Sequence, residues 1–342
     1  MSRKVSSRRR VLPYAALIAA LYALSVTVLG YGLPLSACYA EQWRTFYWDW
    51  HWVTYICQSE GLLSLFDSFL TQFAHSTWTL AVPLSVACVL VAALMGWLLR
   101  CKMRLWLATA CAWLVAVAGT LTAYGTFSAP APDSQYRTVM CLSYHGQWSA
   151  VTDYYKTHEV GNLLEQNILN QAWAERGQLP QHLFDHPCRD VSSLVVLNIE
   201  SPYVAGHLAE IFWSMGEVAM SRMYAFEANE KMDNFSPRML QRLVLTNIVY
   251  GEYAVADKYL RWLEQTLFYR DWARQYRRYL WDDAAVCADP VLGPKRRCIP
   301  AENGFPSVQS LAYDLEQIAQ SNPGHMVSAQ YLEALKRIYH VQ

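Results

Sequence analysis

Two histidines and a cysteine have the spacing of a metal-binding group. His182 and His186 are four residues apart, which would place both imidazoles on one helix face, and Cys188 follows as a potential thiolate ligand. Pro187 would end the helix directly after His186, so the histidines are better interpreted as surface or loop residues. We therefore predict no metal site.

His158, Glu159 and Glu165 form a second polar group, with side chains suited to general acid–base chemistry. The sequence marks no nucleophile or oxyanion hole beside them, and polar hairpin residues are the simpler interpretation. A Walker loop, a G-x-S-x-G elbow, an H-E-x-x-H helix and a dinucleotide fingerprint are all missing from the sequence. It therefore predicts no catalytic residue and no cofactor.

Two further sets of residues are candidates for binding. A candidate partner face consists of arginines on predicted helices, although a solvated face is the simpler interpretation: Arg238, Arg242, Arg261 and Arg270. A candidate membrane-surface site consists of ionisable residues in an aromatic segment: Asp49, His51 and Glu60.

The elements that must position these residues begin with three uncharged stretches, residues 11–33, 77–99 and 105–127. Each has 23 residues, and about 20 apolar helical residues cross a bilayer. The sequence therefore predicts three transmembrane helices. The overall composition does not reveal these stretches, because it gives only a formal net charge of zero and a charged fraction of 16% for the 342 residues.

Basic residues set the predicted orientation. They occur in the leader, residues 1–10, and in the link between the second and third stretches, residues 100–104. Because basic loops stay in the cytoplasm, we expect the leader and the link there. Segment 34–76 and the chain beyond residue 128 are then expected outside, with a bacterial inner membrane as the site. The tetrad Leu35–Cys38 (LSAC) resembles a lipoprotein cleavage site, so cleavage remains an alternative to an uncleaved anchor.

Segment 34–76 is rich in tryptophan and tyrosine, and Leu and Phe recur at helical spacing within residues 62–73. Aromatic rings favour the headgroup level of a bilayer. We predict amphipathic helices on the membrane surface, and a groove for a lipid or lipid-linked substrate is the alternative.

Six of the nine cysteines fall on the predicted outer side, where disulfides can form. Cys287 and Cys298 flank a loop predicted from four prolines in residues 282–307, and they are the candidate disulfide. Buried free thiols are the alternative.

Beyond a linker at residues 128–135, a domain at residues 136–342 repeats one local pattern. A helical run ends in glycine, Gln or Glu follows, and a new run begins, with these glycines at the hinges: Gly146, Gly177, Gly216 and Gly251. A glycine after a helix can adopt the left-handed conformation that closes it. The spacings of 31, 39 and 35 residues are typical of tetratricopeptide-like helical hairpins. An all-α fold follows, with a non-repetitive helical bundle as the alternative.

The runs GEVAMSRMYAFEANE, SPRMLQRLVLTNIVYGEY and ADKYLRWLEQTLFYRDWA lie within residues 203–276. There, and in GLLSLFDSFLTQF and NQAWAERGQL upstream, the chain resembles a family of uncharacterised bacterial multi-span membrane proteins. The resemblance implies several spans followed by a tetratricopeptide-like region. It supplies no catalytic residue.

These features favour a membrane-anchored scaffold or adaptor that binds the lipid bilayer and a protein partner. Nucleic acid is not an expected partner, because 19 basic and 24 acidic residues follow residue 128 and give no basic face. The alternative is an accessory or degenerate member of a membrane enzyme or transport system for lipid-linked or glycan substrates. That function would need Asp49 and Glu60 to converge in a cleft.

Overall fold

The computed structural model describes residues 18–100, 105–128, 133–188, 190–196, 201–300 and 311–341. The basic leader, most of the link at 100–104 and part of the linker at 128–135 lie outside these residues. The described residues form helices and no strand, with one isolated antiparallel bridge between Tyr47 and Thr266. They divide into two compact units, residues 1–40 with 73–134, and residues 41–72 with 135–342.

The described part of the first unit contains the α-helices α1 (Ile18–Gly32), α4 (Thr77–Arg100) and α5 (Leu105–Ser128). Helix α4 packs along α5, and Leu21 of α1 contacts Ala92 and Ala116 in a small apolar cluster. Ser25 and Thr120 share a hydrogen bond of 2.9 Å between their buried hydroxyls. Small side chains and one polar pair thus join the helices.

The expectation of three spans is corrected to one or two among the described residues. Helix α4 is long and apolar enough, over Thr77–Leu94. The first predicted span begins outside the described residues, and its helix is followed by a 96° bend into Leu35–Gln42, so the pair counts as at most one broken span. The described side chains of α5 give only a shorter apolar stretch, Trp113–Thr122.

The second unit begins with α2 (Trp50–Ser59) and α3 (Leu62–Thr71). Its remaining helices follow in chain order: α6 (Ser134–Tyr144), α7 (Trp148–Tyr154), α8 (Leu163–Glu175), α9 (Leu179–His182), α10 (Pro202–Met215), α11 (Val218–Glu230), α12 (Pro237–Tyr250), α13 (Tyr253–Leu263), α14 (Arg270–Arg277), α15 (Asp283–Ala288), α16 (Leu292–Arg297), α17 (Leu311–Ser321) and α18 (Met326–Val341).

Four of these connections contain the glycines singled out from the sequence. Gly146, Gly177, Gly216 and Gly251 all have positive φ, between 65° and 89°, and each lies between two helices. Helix α11 packs against both α10 and α12, and α12 packs against α13. The α10–α11 and α12–α13 hairpins are therefore stacked on one another.

Residues 282–300 differ from the loop that their prolines predict. They contain α15 and α16, and α16 packs against α12. Pro294 lies in the first turn of its helix, where the missing N–H of proline costs no hydrogen bond. Helix α18 covers α8, α9 and α10 in the same way.

Segment 34–76, predicted to form amphipathic helices on the membrane surface, is partly built into the core of the second unit. Residues 41–72 belong to the unit that contains the hairpins. Tyr47 is fully buried and donates a 2.9 Å hydrogen bond to the carbonyl of Phe235, and the Trp48 N–H donates to the carbonyl of Gln265 at 2.7 Å. Aromatic rings that suit a bilayer surface also suit a protein core, and here many of them fill one.

A substitution at Gly206 of α10 tests the packing of segment 41–72 against the hairpins. An ideal Cβ on Gly206 would lie 2.4 Å from the ring of Trp43, which is buried. We expect Gly206→Ala to lower the unfolding free energy by about 1–3 kcal/mol, because overpacking forces buried groups apart. Denaturant unfolding of the full chain in detergent would measure this.

The matched control is Gly161→Ala, whose Cβ would come no closer than 3.4 Å to Glu165. Trp43→Leu should relieve part of the cost of Gly206→Ala, since variants in contact are not additive. Equal losses of stability in Gly206→Ala and Gly161→Ala, or additive effects of Gly206→Ala and Trp43→Leu, would contradict the packing of Trp43 against α10.

Candidate functional site

Arg238 lies in the interior of the hairpin unit and not on a partner face. It is 1% exposed, at the first turn of α12. Its Nη1 donates a 2.6 Å hydrogen bond to Oε1 of Gln42, and its guanidinium lies 4.8 Å from the ring centroid of Tyr144. The candidate face is thus corrected at this residue: Arg238 joins segment 41–48 to α12.

Glu210 of α10 balances the charge of two arginines. Its Oε1 lies 3.5 Å from Nε of Arg238, and its Oε2 accepts from Nη2 of Arg242 at 2.5 Å. Burial raises the pKa of Glu210, but the attraction of Arg242 and then Arg238 leaves that pKa below its usual value. Arg242 is also largely buried, so it is corrected in the same way as Arg238.

The other two arginines of the candidate face lie nearer the surface. The side chain of Arg261 is 72% exposed and pairs with Asp257 at 2.5 Å. Arg270 is half-buried and donates to the carbonyl of Glu264 at 3.1 Å. The structure therefore divides the four arginines into two buried ones and two at or near the surface, and does not bring them together as one face.

Glu41 and Gln42 complete the buried cluster. The Tyr269 hydroxyl donates to Oε2 of Glu41 at 2.6 Å, and both residues are nearly inaccessible. Burial, and next the Glu41 charge, raise the pKa of Tyr269 well above its usual value, so the phenol stays protonated and remains a donor. Nε2 of Gln42 donates to Sγ of Cys141 at 3.2 Å.

Lys295 of α16 adds another buried cation. Its Nζ donates to the carbonyl of Ser214 and lies 2.9 Å from Nε2 of His325. Burial lowers the pKa of Lys295 to about 8, and burial followed by the Lys295 charge lowers the pKa of His325 to about 3. A neutral His325 thus accepts from Lys295 and ties α16 to the C-terminal hairpin.

A pocket of about 170 Å³ lies beside the cluster. Aromatic rings form much of its wall, and Arg44, Glu60 and Asp233 supply charge. Arg44 and Glu60 pair at 2.6 Å, so their charges largely cancel. The lining is Trp43, Arg44, Thr45, Trp52, Ile56, Glu60, Tyr203, Met232, Asp233 and Phe235.

The candidate membrane-surface residues do not converge. Asp49 is the N-cap of α2 and accepts from the Trp52 N–H at 2.9 Å, while Glu60 is the C-cap at the other end of the helix. A ten-residue helix is about 15 Å long. His51 is exposed on the same helix. Asp49 and Glu60 thus act as helix-end residues, and the cleft required by the enzyme alternative is not formed by them.

The polar groups upstream have structural roles. Nδ1 of His182 pairs with Asp185 at 2.7 Å while its ring stacks on Trp173. Glu165 accepts from the Gly161 N–H at 2.9 Å, near the N-terminus of α8. In the described part of the chain no group of three or more His, Cys, Asp or Glu side chains could hold a metal ion.

Cys287 and Cys298 are free thiols in this structure, so the predicted disulfide is not formed. Cys287 is exposed, whereas Cys298 is 1% exposed and its thiol donates to the Pro294 carbonyl at 3.3 Å. Cys298 faces Gly216, where an ideal Cβ would lie 2.9 Å from its sulfur. The two thiols thus occupy different environments although only ten residues separate them.

Comparison with known proteins identifies the family. The model of a family of unknown function (DUF6057) matches residues 103–336, which is more than half of the chain. The chain belongs to this family. The match runs from the start of α5 through most of α18 and so contains Glu210, Arg238 and Arg242. No curated protein and no solved structure matches the chain.

Sequence reasoning missed Gln42, His207, Glu210 and Lys295 as members of buried clusters. One usable signal was present: Glu210 interrupts the apolar run GHLAEIFWSM of α10. A carboxylate in an otherwise buried helix requires a charged partner. Which arginine supplies it cannot be read from sequence spacing.

The loss of stability on substitution should be larger for the buried Arg238 than for the exposed Arg261. We expect Arg238→Met to lower the unfolding free energy by about 3–5 kcal/mol, because Glu210 and Gln42 lose a buried partner. Arg261→Met removes an exposed guanidinium and leaves Asp257 paired with Arg277 at 2.5 Å, so it should cost less than about 1 kcal/mol. Denaturant midpoints of both variants in detergent provide the measurement, and equal midpoints would refute the buried role.

The pH dependence of stability should reveal His207 and Glu217 with opposite signs. Burial, then the Arg238 charge, lower the pKa of His207 from 6.5 to about 3, against a smaller opposing effect of Glu210. The unfolded chain then binds a proton that the folded chain does not, so stability falls as pH falls below about 6.5. Relative to His207→Gln, the wild type should lose about 1.4 kcal/mol per pH unit between about pH 6 and 4.

Burial, then the Asp314 charge, raise the pKa of Glu217 from 4.5 to about 7. Here the folded chain holds the proton, so this contribution is complete below about pH 4.5 and is lost as pH rises to about 7. Relative to Glu217→Gln, the wild type should therefore lose stability as pH rises from about 4.5 to about 7. Stability–pH profiles of the two variants serve as controls for each other. A fall in wild-type stability with rising pH relative to His207→Gln would contradict the first assignment, and a rise relative to Glu217→Gln would contradict the second.

Proposed function

We propose that the protein is a membrane-anchored adaptor whose helical hairpins bind a protein partner at the outer face of a bacterial inner membrane. Helix α4 supplies the anchor. Only 22% of its apolar window is buried, and side chains such as Leu90 and Leu94 are more than half exposed. A helix with this much apolar surface outside the protein suits a lipid environment.

The order of packing supports a tetratricopeptide-like array. Helix α11 lies between α10, the first helix of its own hairpin, and α12, the first helix of the next hairpin. Stacked hairpins of this kind offer an extended surface for binding and need no catalytic group. The basic leader and the 100–104 link favour a cytoplasmic location of both. The array then lies outside the cytoplasm because, in this proposal, the 24-residue helix α5 returns the chain across the membrane.

One observation carries the choice of binding surface. Other parts of the protein cover the inner side of the first helices, α10 and α12, whereas the second helices, α11 and α13, have exposed side chains. No residue of α12 is exposed, and in α10 only Tyr203 is exposed. Segment 41–48, α16 and α18 occupy that side. The array therefore has no empty inner groove along these two helices.

The second helices α11 and α13 carry apolar side chains in the solvent. Met223, Phe226 and Val255 are 49%, 51% and 40% exposed, and Lys258 and Arg261 lie on the same side of α13 as Val255. We define these five residues as the outer face. Apolar contacts flanked by basic side chains fit a partner segment of apolar and acidic residues.

Site-specific photocrosslinking tests the outer face. A photoreactive benzoylphenylalanine at Phe226 in intact cells should give an adduct of one discrete mass, because a bound partner excludes water there. The same substitution at Phe184, which is 49% exposed, should give none. Phe226→Asp should abolish the adduct formed from a probe at Met223, since a charge would then face the apolar contact.

Two results would refute the proposal. One is the same set of adducts from positions 226 and 184, which would mark random collision. The other is no adduct from any position of the outer face in cells that contain the protein in their membranes.

A further inference from the structure

Helix α3 has apolar side chains on two faces. Leu65 and Phe69 pack against the core of the hairpin unit, and Ser68 is buried. On the other side lies a row that we define as the α3 apolar face: Leu62, Leu63, Phe66 and Leu70, which are 74%, 87%, 60% and 43% exposed. With about 100° of rotation per residue, these four side chains fall within an arc of about 100°.

The direction of this face is fixed by contacts on the inner side of the helix. Nε of Arg44 donates to the Ser68 hydroxyl at 2.7 Å, and Arg44 also pairs with Glu60 just before α3 begins. The ring of Phe69 lies 5.6 Å from Phe46 and 6.2 Å from Trp48. Because α3 cannot rotate without breaking these contacts, the four apolar side chains remain outward.

The composition of the face suits a lipid surface. Asp67 is the one ionisable residue of α3, and by helical rotation it lies at the edge of the row. Trp48, beside Phe69, is 54% exposed, and exposed indoles favour the headgroup level. A continuous exposed row of large apolar side chains marks an interaction surface.

The chain itself indicates what covers the row. Leu70 precedes Thr77, the first residue of α4, by only seven residues, part of which form a 3-10 turn at Gln72–His75. Seven residues reach at most about 25 Å when fully extended. If α4 enters the bilayer, as the proposed function requires, the α3 apolar face is held within that distance of the point of entry.

From the exposure of these side chains, their fixed direction and this short tether, we infer that the α3 apolar face binds the bilayer. Leu62, Leu63, Phe66 and Leu70 enter the boundary between headgroups and acyl chains, as the apolar side of an interfacial helix does. The hairpin unit is thereby held on the membrane surface through its own α3 as well as through α4. This inference rests on the proposed anchoring by α4.

The test uses the full chain reconstituted in nanodiscs of phosphatidylethanolamine and phosphatidylglycerol. Benzoylphenylalanine replaces Phe66, or as a matched control Tyr313, which is 59% exposed against 60% for Phe66. Irradiation should add the mass of a phospholipid to the peptide around residue 66 and none at residue 313. Leu63→Glu should abolish the lipid adduct at residue 66 while near-ultraviolet circular dichroism keeps its wild-type shape.

Three results would overturn the inference: no adduct at residue 66, a crosslink from residue 66 to a peptide of this chain or a second copy, or equal lipid adducts at both positions. Alkaline carbonate extraction of cell membranes separates this inference from anchoring. Protein that resists extraction without a lipid adduct at residue 66 is anchored by α4 but not docked by α3. Protein that carbonate releases is not anchored at all.

Discussion

The buried guanidinium of Arg238 is the constraint on which the second unit depends. A guanidinium keeps its charge at any ordinary pH, and its transfer from water to the interior is costly unless charge and hydrogen bonds compensate. Glu210 supplies the charge, and Gln42 supplies an acceptor from a segment 196 residues earlier in the chain. The same interaction therefore closes the inner side of the hairpins and fixes segment 41–48, while exposed apolar side chains such as Phe226 and Val255 lie on the second helices.

Local features of the fold were accessible from the sequence, because they depend on neighbouring residues. Apolar periodicity indicated an all-helical chain, and helix-ending glycines marked four connections at which the backbone has positive φ. Features that depend on distant contacts were not accessible. Aromatic residues predict burial or a bilayer surface equally well, and only the pairing of Tyr47 with Phe235 decides between them. Prolines suggested a loop where two short helices place Lys295 under α10.

The candidate site follows the same division. The sequence marked Arg238 and Arg242 of α12 as part of a possible partner face or a solvated face, because an amphipathic helix seen alone does not reveal that its charged side meets Glu210. For Asp49 and Glu60 the sequence suggested a convergence that the structure does not show. The two carboxylates lie close in sequence but occupy the two ends of one helix. The family match covers α5 and the hairpins, and so includes Glu210, Arg238 and Arg242 but not segment 41–72, which contains Glu41 and Gln42.

The long separation between Gln42 and Arg238 has a consequence for synthesis. The chain is made from its N-terminus at about 5–20 residues per second, so Gln42 exists for roughly 10–40 s before Arg238 is added. Tyr269, the donor to Glu41, comes later still, 228 residues after its acceptor. Throughout most of that interval the rings of Tyr47 and Trp52 lack the ring of Phe235, which both contact in the folded protein. Nascent chains therefore carry a partly uncovered aromatic segment until the residues that bury it, such as Phe235 and Tyr269, have been made.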